Sequence, residues 1–158
     1  MGSTHVADFV LLNSYSGVWE IKFVELEPAS TMMFTKAGVP AKRLAGAVKQ
    51  VGDWIAYFER NREQVRADLV RWAGTKDILG YSDGDTPTNF SGDMLADPAT
   101  YLAVSSHIFI GRRSALKKDE RSQKARYPSR HSVEVATYDR ILDLVRERYK
   151  NAEDWCSE

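Results

Sequence analysis

"ADFVLLNSYSGVWEIKFVELEP", Ala7 to Pro28, decides how this chain is read. FVLL is an apolar run, NSYSG supplies turn formers, and the segment after it alternates apolar with charged residues until Pro28 stops it. The stretch therefore predicts two strands joined by a tight turn. Side chains alternate across a strand, so Trp19, Ile21, Phe23, Glu25 and Glu27 share one face and Glu20, Lys22, Val24 and Leu26 share the other. Two glutamates thus continue an aromatic face. For any one of these acids taken alone, a solvated strand end is the better reading; only a constellation argues for a site.

Downstream, Leu44, Val48, Val51, Ile55 and Phe58 recur at three and four between Pro40 and Asn61, the pattern of an amphipathic helix with Gln50, Trp54 and Tyr57 along one edge of its buried stripe. Trp54, Tyr57 and Phe58 read as core packing rather than a stacking platform for bases. REQVRADLVRWA predicts a second helix ending at Gly74, and residues 80–98, rich in Asp, Gly, Ser, Thr and Pro, predict a long surface loop with few internal contacts. HIFIG reads as a buried strand, Lys117 to Arg126 as a short helix, and SVEVATYD as a final strand. Thr137 and Asp139 stand where a helix N-cap belongs, before a closing helix patterned by Ile141, Leu142, Val145 and Tyr149. The predicted order is ββααβ(α)βα, an α/β fold with a central mixed sheet flanked by helices.

Composition narrows the possibilities without choosing among them. The chain has 158 residues, 43% hydrophobic, enough for one core, and no change of composition marks a second domain. Lys and Arg total 22 and Asp and Glu total 22, so no net charge argues for nucleic acid or lipid, and only local clustering can. Cys156 is the sole cysteine, which excludes an internal disulfide and a cysteine-based zinc site and predicts a reducing compartment, the cytoplasm. No run approaches the roughly 18 apolar residues of a membrane span, and no signal-like N-terminus is present, so no membrane partner is expected.

Asp8 opens the first strand, Glu25 and Glu27 close the second, and Gln50 lies on the helix after them. An acid on one strand with another on its hairpin partner is a standard arrangement for Mg²⁺ or Mn²⁺, hard cations that take oxygen ligands and keep several waters. Such an ion lowers the pKa of bound water and steadies a leaving oxygen, which suits phosphodiester hydrolysis. Glu20 to Lys22 offers a literal Glu-x-Lys in another register, but that pair sits mid-strand on the face opposite Trp19, Ile21 and Phe23, so Glu25 is preferred. Arg112, Arg113, Lys117, Lys118, Arg121, Lys124, Arg126 and Arg130 form a basic run opposed only by Asp119 and Glu120. It reads equally well as a track for a phosphate backbone and as a solvated surface helix. His5, His107 and His131 show no metal-ligand spacing, and no glycine-rich phosphate loop occurs.

In order and spacing, several landmarks resemble the nuclease domain of the Shedu antiphage defence proteins, within the PD-(D/E)XK restriction-endonuclease-like superfamily. They are ADFVLL, FVELEPASTMMFTKAGVP, AVKQVGDW with its Gln-x-x-Asp-Trp, IFIGRRS and VEVATYDRILD, and they span nearly the whole chain. The resemblance implies a restriction-endonuclease-like core and a metal-dependent deoxyribonuclease acting in defence against phage. It implies Asp8 and Glu25 as metal-binding carboxylates, the Leu26 carbonyl as a third oxygen ligand to Mg²⁺ or Mn²⁺, and Gln50 reaching into the site. DNA is the implied partner, with Lys36, Arg112 and Arg113 as candidate contacts, and a homo-oligomer is the implied assembly. The sequence departs from the family pattern in two places. The family core begins with a helix and a strand, whereas seven residues precede Asp8, and Glu27 stands where the superfamily's catalytic lysine belongs. An ionised glutamate supplies neither positive charge nor a donor; it would serve as an extra ligand or a base, with Lys36 or Lys49 bringing the cation. The competing readings are an inactive nuclease-fold module with an interaction or regulatory role and a purely DNA-binding domain using the basic run.

Overall fold

The computed structural model describes residues 6–74, 87–127 and 133–155, the side chains of 151–155 excepted. Strand β1 (Phe9–Tyr15) runs antiparallel to β2 (Val18–Leu26) in an unbroken register from Phe9↔Val24 to Tyr15↔Val18. Only Ser16 and Gly17 connect them, and Gly17 takes φ +75°, a conformation that glycine adopts without steric cost. The expected turn is thus shorter than NSYSG. Asn13 to Tyr15 are strand, paired with Glu20, Trp19 and Val18 of the facing strand, and Glu20 also accepts from Tyr15 Oη at 2.8 Å and from Asn13 Nδ2 at 3.5 Å. Burial holds the Glu20 carboxyl up, but hydrogen bonds from neighbouring hydroxyls, Tyr15 among them, and the nearby Lys22 outweigh it and leave the group below its ordinary pKa.

Helices α1 (Lys42–Arg60) and α2 (Arg62–Gly74) follow, broken at Asn61, whose side chain donates to the Tyr57 carbonyl at 2.8 Å. The buried stripe of α1 is Leu44, Ala47, Val51, Trp54 and Phe58, spaced three and four apart, so Trp54 belongs to its centre while Val48 and Ile55 flank it. Strand β3 (Tyr101–Phe109), helix α3 (Lys118–Ala125), strand β4 (Glu134–Ala136) and helix α4 (Tyr138–Trp155) complete the described elements, with a short 3-10 turn at Arg113–Ala115. The strands hydrogen-bond in the order β1-β2-β3-β4, with β3 and β4 parallel, so this is a mixed-sheet α/β fold.

By compactness the chain falls into two units. The first comprises Met1–Val24 and Gln50–Ser106, and the second Glu25–Lys49 and His107–Glu158. In the first, Trp19, Ile21 and Phe23 are buried together with Trp54, Phe58, Val65, Leu69 and Leu102, and Phe23 and Trp54 meet at 5.7 Å between ring centroids. Each such side chain contributes roughly 1.5–3 kcal/mol on burial. In the second, Met33, Phe34, Leu44, Ile108, Ile110, Leu116, Val133 and Val135 are buried.

Residues 87–98 lack helix or strand, as a loop should, but the expectation of few internal contacts is corrected for them; residues 80–86 lie outside the described ones. Asn89 is buried and its Oδ1 accepts from the backbone N–H groups of Ser91 and Asp93, both at 2.9 Å. Leu95 is fully buried, its N–H donating to Pro87, and the Trp19 indole N–H donates to the Asp93 carbonyl at 3.2 Å. Polar composition signalled a loop correctly; it concealed that an Asn side chain can stand in for backbone turn partners.

Candidate functional site

The buried face of β2 runs on into a carboxylate. Trp19, Ile21, Phe23 and Glu25 alternate with half-buried Glu20 and Lys22, and Glu25 is only 9% exposed. The face assignment made from alternation is therefore the one the strand adopts. Val24 is covered too, so the strand is enclosed on both sides just where the acid stands. A carboxylate at such a position costs free energy that hydrogen bonds or counter-charge must offset.

Beyond Leu26 the chain stays anchored. Glu27 N–H donates to the Phe109 carbonyl at 2.8 Å, and the Pro28 carbonyl accepts from Thr31 N–H at 3.0 Å and Gly111 N–H at 3.4 Å. Gly111 has φ +64°, and a Cβ there would lie 2.6 Å from the Thr31 carbonyl oxygen, so only glycine fits. Its own carbonyl accepts from Tyr138 N–H at 3.2 Å. Gly111, within the IFIGRRS landmark, is thus the joint where the exit of β2, the end of β3 and the start of α4 are fixed together.

At Glu27, where the family pattern calls for lysine, Oε2 accepts from Arg43 Nη1 at 2.9 Å; the carboxylate side chain is 15% exposed and the guanidinium side chain 59%. Sequence reasoning looked to Lys36 and Lys49 for a cation and passed over Arg43. A signal was present. Lys42 and Arg43 occupy the first turn of α1, which contains no acid, and cations there oppose the helix dipole; such a residue is better explained by a partner outside the helix. Lys36 sits exposed on a tight turn in which Thr35 N–H donates to Val39 and Gly38 N–H to Thr35.

Arg112 and Arg113 are engaged by α4. Arg112 grips Asp139 with two nitrogens, Nε at 3.2 Å and Nη2 at 2.9 Å; Arg113 N–H donates to the same carboxylate at 2.6 Å, and its guanidinium pairs with Asp143. The Arg112 guanidinium and the Arg113 backbone together hold Asp139 at about 2. Lys117, which caps α3, and Lys118 and Arg121 on it are exposed, whereas Lys124 donates to the Val135 carbonyl at 3.1 Å and burial lowers its pKa. The basic run is thus split between solvent and structure.

The predicted residues divide between the two units. Asp8 and Gln50 belong to the first, where exposed Asp8 immediately precedes β1 and Gln50 Nε2 donates to the Val6 carbonyl at 3.3 Å. Glu25, Leu26, Glu27, Lys36, Arg112 and Arg113 belong to the second. Among the described residues no group of three or more His, Cys, Asp or Glu side chains suited to a metal occurs.

A family model described as "Shedu protein SduA, C-terminal" matches residues 2–142. The chain belongs to the Shedu family. Shedu membership connects it with antiphage defence. No curated protein matches it. Among the described residues of this Shedu chain, no helix is long and apolar enough to cross a membrane.

Proposed function

We propose that this Shedu chain is a metal-dependent deoxyribonuclease of the restriction-endonuclease-like kind, with Asp8 and Glu25 holding Mg²⁺ or Mn²⁺ and the Leu26 carbonyl adding a third oxygen. The observation that carries this reading is Glu25, an acid brought onto the buried face of β2 directly after Phe23. The donor set fits: carboxylates and a carbonyl are hard oxygen ligands, with no sulfur or imidazole to favour a softer metal. When bound, the ion would polarise the phosphodiester and acidify a coordinated water.

The chain's own residues do the rest. Glu27, oriented by its hydrogen bond from Arg43, accepts the proton of the attacking water or adds a further oxygen ligand, and Gln50 steadies that water through its amide. DNA phosphates meet Lys36 and the exposed cations of α3; Arg112 and Arg113 join only by exchanging Asp139 and Asp143 for phosphate. Such contacts weaken steeply with salt and carry no sequence preference.

Purified protein is expected to cut plasmid and linear DNA with Mg²⁺ or Mn²⁺, with Glu25→Gln and Asp8→Asn each at least ~100-fold slower, a transition-state loss of about 2.7 kcal/mol, and unchanged in thermal unfolding. DNA left intact by the wild type with either metal, and a Glu25→Gln variant indistinguishable from it, would sink the proposal. The Glu27–Arg43 pair also favours a second reading, an inactive nuclease-fold module with an interaction or regulatory role. Glu27→Lys separates the two: metal-dependent cutting that appears only in this variant identifies the natural chain as inactive.

A further inference from the structure

A buried cation in the first unit has bonding capacity that the fold does not use. Arg66, on α2, is 4% exposed, and its two terminal nitrogens donate to the Leu95 and Thr100 carbonyls, each at 2.8 Å. The remaining nitrogen, Nε, is buried and has no hydrogen-bond partner among the described residues. The Glu63 carboxylate stands 3.9 Å from it, too far for a hydrogen bond. A guanidinium out of water, held by two neutral carbonyls and one long ion pair, is left with charge and a donor that are costly to leave unmet.

This guanidinium lines an open groove of about 350 Å³, completed by Glu63, Ala67, Val70 and Arg71 of the same helix and by Ala96. Spacings of three and four put the five helix residues on one face. Arg71 brings a second cation, its side chain 73% exposed, and its partner Asp68, at 3.6 Å, is not part of the lining. Asp97, beside Ala96, is turned to its own backbone and accepts from the Ala99 N–H at 2.8 Å. The one acid in the lining is Glu63, whose side chain is 67% exposed and can swing into water.

The lining selects its ligand by chemistry. Both donors belong to permanent cations, so the complementary group is an anion, and the planar guanidinium matches a carboxylate. Ala67, Val70 and Ala96 offer apolar surface that a bare inorganic ion would not cover. We infer that this groove is a binding site for a small organic carboxylate, whose head group replaces Glu63 at Arg66 Nε and reaches Arg71 while a short apolar chain lies against Ala67, Val70 and Ala96.

The test uses the full chain labelled with ¹⁵N-arginine and hexanoate as the probe, with 1-hexanol and inorganic phosphate as controls. Arg66 is kept, since removing it would also release the Leu95 and Thr100 carbonyls. Hexanoate is expected to shift the Arg66 Nε–H resonance saturably, whereas hexanol leaves it in place and phosphate binds more weakly than hexanoate. Glu63→Gln removes the competing carboxylate and is expected to tighten hexanoate binding about threefold. Arg71→Gln removes a charged donor and is expected to weaken it at least ~10-fold. An Arg66 resonance unmoved by hexanoate, an equal response to hexanol or to phosphate, or unchanged affinity in both variants would overturn the inference. None of these readouts involves DNA or a metal, so the outcome stands apart from that of the nuclease assay.

Discussion

Residues 87–100 in the first unit and the Gly111 joint in the second both carry the backbone through irregular bends, and they are held by opposite means. The first relies on a buried amide and a buried guanidinium. Asn89 satisfies the turn, and Arg66, 4% exposed, donates to the Leu95 and Thr100 carbonyls, each at 2.8 Å. The second relies on a glycine that nothing else can replace and on exposed ion pairs from Arg112 and Arg113 to Asp139 and Asp143. Buried polar partners are costly to break because the groups left behind are already out of water, whereas exposed pairs are screened and hold little. The first bend should therefore be indifferent to salt and pH, and the second responsive to both.

The largest effect is expected from Arg66→Met. It strands two carbonyls and should lower unfolding free energy by about 3 kcal/mol, read as a shifted urea midpoint with little dependence on salt; a loss that disappears in molar salt would erase the contrast. Gly111→Ala comes next, at about 2 kcal/mol from a positive φ and a close backbone approach, and amide exchange at Thr31 and Tyr138 should accelerate. The smallest is a pH effect. Asp139 titrates near 2 in the folded chain against an ordinary 3.8, so its contribution is present above that ordinary value and is lost as pH falls through about 2. Wild type should lose a small extra stability across that window that Asp139→Asn lacks, and coincident urea midpoints for the two proteins throughout would remove the ionic half of the comparison.

How much was legible follows from the range of each interaction. The end of α2 at Gly74, the span of α3 and the two-strand hairpin were readable because periodicity, a terminal glycine and turn formers act within a few residues. The extension of β1 through Asn13–Tyr15 was not, since it depends on Glu20 across the register. Nor was the order in residues 87–98, which depends on Trp19 and Arg66, far away in sequence. For the candidate site, alternation placed Glu25 on the aromatic face correctly. Arg43 escaped because its partner Glu27 is sixteen residues away: an acid-free first turn in α1 points to a partner outside the helix without saying which.

The two-residue connection at Ser16–Gly17 also bears on the order of events when the chain folds. A hairpin closed by so short a loop forms in about 1–10 μs, and β1 and β2 can find their register before most of the chain is engaged. β3 and β4 run parallel, so no hairpin can join them, and their pairing closes a longer connection that includes α3. β3–β4 pairing is then the slow step, and a refolding experiment should show Glu20–Tyr15 proximity restored well before protection at Ile108 and Val135.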